Sequence, residues 1–109
     1  CVNISSKDPK ALADFYISIG APVFIEDGNY DGWFIGDPKQ GGMVCVWDEN
    51  SWGKSTEGFV TIVLETDDVH KTYEEIISKG INIDPPRTAD LGGQEIIFKD
   101  IDGNIVMLL

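Results

Sequence analysis

Two periods of apolar and polar residues run through this chain, and they change over in the same order twice. The first apolar run, "VNISS" at 2–6, is short and strand-like. Asp8 and Pro9 follow it, and then Ala11, Leu12, Phe15, Tyr16 and Ile19 recur at helical spacing to make one apolar stripe. Asp8 is a good N-cap, and Pro9 stands at the first helical position, where its missing N–H costs nothing. Gly20 ends the predicted helix as a left-handed residue. The second run, "FVTIVLE" at 59–65, is a stronger strand. After it Asp67 or Asp68 caps a helix whose stripe is Val69, Tyr73, Ile76 and Ile77 and whose stop is Gly80.

Three short strands are predicted after each helix. In the first half they are "APVFIED", "GWFIG" and "GMVCVWD", punctuated by turns at Asp27-Gly28 and Asp31-Gly32. In the second half they are "INID", "QEIIFKD" and "NIVMLL", the last two joined by a tight turn at Asp102-Gly103-Asn104. Pro85 and Pro86 end the first of these and mark an edge or a loop. Both halves read β-α-β-β-β. They superpose at an offset of sixty residues: Asp8 on Asp68, Ile17 on Ile77, Ser18 on Ser78 and Gly20 on Gly80. The unbroken register predicts an internal duplication. The expected organisation is a single domain over 1–109, made of modules 1–49 and 58–109 with a polar linker at 50–57.

Composition narrows the function. The 109 residues are one domain by length, 42% hydrophobic and 25% charged, with a formal net charge of −11. That charge argues against nucleic acid and anionic membranes, which require clustered Lys and Arg. It mildly favours a cationic ligand, with a plain acidic surface as the simpler account. No run of about 18 apolar residues predicts a membrane span. The chain opens at Cys1 within a strand-like run, so residues are expected to precede it, and no signal peptide is visible. Cys1 and Cys45 read as reduced thiols of a cytoplasmic protein.

The duplicated pattern resembles the vicinal oxygen chelate superfamily, which includes glyoxalase I, extradiol dioxygenases and the bleomycin-resistance proteins. The resemblance rests on "KDPKALADFYISIG", similar to a D-x6-F-Y-x3-G opening, and on "FKDIDGNIVMLL", similar to an F-x-D-P-D-G-N-x-x-E-L ending. It implies an α+β fold: two tandem β-α-β-β-β modules whose curved mixed sheets form a cup, with the helices outside. It also implies a homodimer. Metal-using relatives carry a ligand, usually His, near the start of the first strand of each module, and another, usually Glu, in the last strand. On this chain the resemblance places those positions at Cys1, at Val44 or Cys45, at Thr61 and at Met107. Thr and Met are poor ligands for a catalytic divalent ion, so no metal and no cofactor are expected.

Strand alternation places Cys1, Asn3 and Ser5, then Thr61, Val63 and Glu65, and then Ile105, Met107 and Leu109 on the inner face. Val2, Ile4, Val60, Ile62, Leu64, Val106 and Leu108 are expected under the helices. Trp33, Trp47 and Trp52 read either as core or as an aromatic wall for a planar or cationic ligand, with Trp52 the strongest ligand candidate because it sits in the polar linker. Glu65 is a candidate general base or a solvated strand end. Arg87 is a surface arginine or an anion contact, Asp48 and Glu49 read as solvated, and His70 reads as a surface residue in a first helical turn. The ligand-binding expectation is therefore Asn3, Trp33, Trp47, Trp52, Thr61, Glu65 and Met107. The leading reading is a metal-free protein that binds or sequesters a small aromatic or cationic molecule, of the antibiotic- or toxin-resistance kind. The alternatives are a lyase or dioxygenase with atypical or no metal ligands, and a module whose cup is filled by its own side chains.

Overall fold

A computed structural model describes residues 1–90 and 92–109. The elements are β1 Val2–Ser6, α1 Pro9–Ser18, β2 Val23–Glu26, β3 Asn29–Ile35, β4 Val44–Asp48, α2 Glu49–Trp52, β5 Thr61–Leu64, α3 Val69–Ser78, β6 Arg87–Thr88, β7 Gln94–Lys99 and β8 Ile105–Leu108. They form two four-stranded mixed sheets, ordered β1-β4-β3-β2 and β5-β8-β7-β6. In each sheet the first strand runs parallel to its neighbour, and the remaining pairs are antiparallel. The architecture is α+β, and the two sheets stay separate along the β1 and β5 edges.

The two long helices begin in the same way. The carboxylate of Asp8 accepts from the Ala11 N–H at 3.1 Å, and that of Asp68 from the Lys71 N–H at 3.1 Å. Each satisfies one of the donors that a helix start leaves free. Both helices stop where Gly20 and Gly80 take φ +83°. Ile4, Val46, Trp33 and Ile35 of the first sheet pack with Leu12, Ala13 and Tyr16 of α1 into a core that continues through Ile62, Ile76, Ile96, Phe98, Val106 and Leu108. The expected parity holds for Ile4, Ile62, Val106 and Leu108, while Val2 lies at an open strand end and is exposed.

The halves are tied by a buried polar knot. Asp100 accepts from the Tyr16 hydroxyl at 2.6 Å, the Asn104 amide at 2.8 Å and the backbone N–H groups of Asp102 and Asn104 at 2.9 and 3.0 Å. Four donors compensate a carboxylate that is only 6% exposed. Beside it Ser6 donates to Asp102, and Phe15 meets Phe98 with ring centroids 6.2 Å apart.

Three expected features fall elsewhere. "INID" forms no strand. The short β6 lies after Pro85-Pro86 instead, because Arg87 and Thr88 are the first residues there able to pair with Glu95 and Gln94. Asp31-Gly32 is not a turn but the middle of β3. The turn is Asp27-Gly28, where φ of 51° and 68° match the twist of a two-residue hairpin. Inside the expected linker, Asn50–Trp52 belong to the one-turn helix α2, capped by Asp48.

Candidate functional site

Side chains opposite the helices define a concave face on each sheet. On the first, ladder pairing puts Asn3, Cys45, Phe34 and Phe24 in one row. Phe24 and Phe34 stack at 6.3 Å. Two residues beyond Cys45, the Trp47 indole donates to the Asn3 side-chain oxygen at 3.0 Å. Trp47 rests over Gly32, where a Cβ would meet the ring at 3.1 Å and φ is +102°. Only glycine suits both constraints. On the second sheet the rows are Thr61, Ile105 and Lys99, then Val63, Met107 and Ile97.

Comparing the two ladders resolves one position. Asn3 pairs with Cys45 as Val63 pairs with Met107, so Cys45, not Val44, is the counterpart of Met107. The donor chemistry at these positions does not fit a hard divalent ion. Cys45 is buried, and burial, with the Asp31 carboxylate adding to it, pushes the thiol pKa up and keeps it protonated. The Cys1 thiol points to the Asn3 side-chain oxygen. Thr61 and Met107 bring a hydroxyl and a thioether. Among the described residues no three His, Cys, Asp or Glu converge on one point.

Other expected site residues disperse. Trp33 is 1% exposed and packs against Tyr16 with centroids 6.3 Å apart, so it is core rather than ligand wall. Its β3 parity points it under α1, opposite to Phe34. Trp52 ends α2, which lies against β1 and β4, and remains partly exposed. Thr61 and Glu65 line a cleft of about 750 Å³ between the β5 edge and the first sheet, with Val2, Ile35 and Val44 across from them. Glu65 thus sits at a strand end beside core residues rather than on the concave floor. His70 is exposed on α3. Asp48 is not simply solvated: it accepts from the Asn50 N–H at 2.9 Å, while its own N–H donates to Asp31.

Glu95 is the residue that sequence reasoning missed. It shares the parity of Ile97 and Lys99, is 7% exposed, and accepts from the Arg87 guanidinium at 3.1 Å. That pairing occupies the Arg87 Nε–H, while the rest of the side chain stays exposed, as a surface arginine. The alternation of "QEIIFK" put Glu95 opposite Ile96 and Phe98, but its burial depends on Arg87 arriving from a strand the sequence pattern misplaced.

The fold agrees with sequence comparison. The family model of the Glyoxalase/Bleomycin resistance protein/Dioxygenase superfamily matches residues 2–108, and the chain belongs to that superfamily. Solved structures with the same fold include the bleomycin resistance determinant encoded on transposon Tn5, 22% identical over 98% of this chain and 92% of that one, TM-score 0.73. A bleomycin-binding protein complexed with bleomycin is 23% identical over 97% and 92%, TM-score 0.71. Lactoylglutathione lyase from Agrobacterium tumefaciens is 16% identical over 98% and 88%, TM-score 0.74. No curated protein sequence matches. At these identities the likeness is one of fold. No described helix is long and apolar enough to cross a membrane.

Proposed function

We propose that this protein binds and sequesters a small aromatic or cationic molecule on its concave faces without a divalent ion, in the manner of a resistance protein. The observation that carries the reading is the set of side chains at the paired positions. A buried Cys45 and the thioether Met107 stand there, beside a Trp47 indole held by Asn3. Apolar surface with a few fixed polar groups is how small-molecule sites are composed. The binding unit in this reading is a cytoplasmic homodimer of a chain divided into modules 1–49 and 58–109. The exposed apolar side chains of Phe24, Val63 and Ile105 support association.

A second reading, a lyase or dioxygenase of the same superfamily with atypical or no metal ligands, is favoured by one observation. The buried Glu95 carboxylate beside Ile97 would serve as an acid–base group.

Elemental analysis of the purified protein, together with titration of tryptophan fluorescence by bleomycin and by planar cationic dyes, tests the first reading. Quenching by a ligand at metal contents far below one per chain is the expected result. A stoichiometric transition metal, or turnover abolished by Glu95→Gln, would transfer the assignment to the enzyme.

A further inference from the structure

Beneath the C-terminal end of α1 lies a recess of about 320 Å³ that meets the β5 cleft at Pro22, Leu64 and Glu65 and uses no residue of the face that carries Trp47. Its apolar walls are Ile19 at the end of α1, Pro22 just before β2, Leu64 from β5 and Leu108 from β8. Ile19 and Leu108 are buried core residues, so the recess is a place where the core comes up to the surface. At its rim stand Glu65, Glu75, Thr66 and Thr72. The two threonine hydroxyls bond each other at 2.5 Å and are mutually occupied. The two carboxylates take part in none of the ion pairs among the described residues, and no Lys, Arg or His lines the recess.

The helix end beside the recess is already neutralised. Ile19, Gly20 and Ala21 bring the carbonyl end of α1 to this recess, and that end of a helix carries partial negative charge. It already holds one ammonium group, because Lys79 Nζ donates to the Ser18 carbonyl at 2.6 Å. Lys79 satisfies that helix end, so the acidic groups left at the recess are Glu65 and Glu75, above an apolar wall that suits a hydrocarbon. Its size is at the small end of ligand pockets.

We infer that this recess binds a small primary amine with a hydrocarbon body. The body lies against Ile19, Pro22, Leu64 and Leu108, and the ammonium is directed to Glu65 and Glu75. The site is independent of ligand binding at Trp47.

Methyl-detected NMR titration at neutral pH with 2-phenylethylamine, and with 2-phenylethanol as the uncharged counterpart, tests it. The amine is expected to shift the methyl signals of Leu64, Leu108 and Thr72, and the alcohol to bind about tenfold more weakly. The exposed double variant Glu65→Gln/Glu75→Gln keeps side-chain size and is expected to weaken the amine by about fivefold or more. Trp47→Phe is expected to leave amine binding unchanged while weakening any ligand of the concave face, so the two sites fail or succeed separately. Equal binding of amine and alcohol, unchanged affinity in the double variant, or shifts confined to the surroundings of Trp47 would each overturn the assignment.

Discussion

The Trp47 indole N–H donates to the side-chain oxygen of Asn3 at 3.0 Å, across neighbouring parallel strands. A large aromatic ring that is 36% exposed is thereby fixed in one orientation before any ligand arrives, and a fixed ring loses less freedom on binding. Asn3→Ala is expected to cost about 0.5–1.5 kcal/mol of stability, the usual net worth of one hydrogen bond. It is also expected to red-shift the Trp47 emission and weaken any aromatic ligand. Urea denaturation and fluorescence in a background with Trp33 and Trp52 replaced by Phe check both effects.

Gly32 supports the same ring from below, and there the sterics are strict. Gly32→Ala adds a Cβ at 3.1 Å from the Trp47 ring, on a backbone with φ +102°. A destabilisation of about 1–3 kcal/mol is expected, read as a lowered melting temperature together with altered Trp47 fluorescence. If Trp47→Ala restores only part of the loss, the remainder measures the backbone term.

Burial and the Asp100 carboxylate both push the Tyr16 pKa well above its ordinary value of 10.0. A group whose pKa is raised on folding contributes stability that is fully present below the unfolded pKa and is lost as pH rises above it. Stability is therefore expected to be insensitive to this residue up to about pH 10 and to fall beyond it. Absorbance titration should leave Tyr16 protonated until the chain unfolds. Tyr16→Phe should remove its share of the alkaline slope and cost about 1.5–3 kcal/mol at neutral pH, as for a hydrogen bond to a charged group.

Adjacent residues of α3 offer a packing contrast. Ile76 is 1% exposed and Ile77 39%. Ile76→Ala is expected to cost about 2–5 kcal/mol through lost burial and a cavity, whereas Ile77→Ala should stay within about 0.5 kcal/mol. Denaturant melts of the two variants decide it, and equal losses would mean that Ile77 is covered in solution by another molecule.

The readable parts of the fold are those set by neighbours in the chain. Asp8-Pro9, Asp68, Gly20 and Gly80 marked both helices because caps and left-handed stops act within one turn. The parity of Ile4, Ile62, Val106 and Leu108 was legible for the same reason, since alternation is local. Where a distant partner decided the outcome, the pattern misled. Asp31-Gly32 has turn chemistry, yet the glycine is there to accommodate Trp47 from the next strand. Trp33 and Trp47 are chemically alike, and only strand parity under α1 sends one to the core and the other to the open face. Glu95 carried no local mark at all, because its burial depends on Arg87.

The bond between Tyr16 and Asp100 also breaks the symmetry of the duplication. Tyr16 corresponds to Ile76 at the offset of sixty, whereas the ladders, pairing Phe34 with Cys45 as Ile97 pairs with Met107, set Asp37 opposite Asp100, so the acceptor has a counterpart and the hydroxyl has none. The copies are alike in outline and no longer exchangeable. Two second halves brought together would leave Asp100 without the Tyr16 donor, because Ile76 stands where the phenol would be. The repeat has become a lock with one key, and a chain built from two second halves is expected to lack this bond before any ligand is considered.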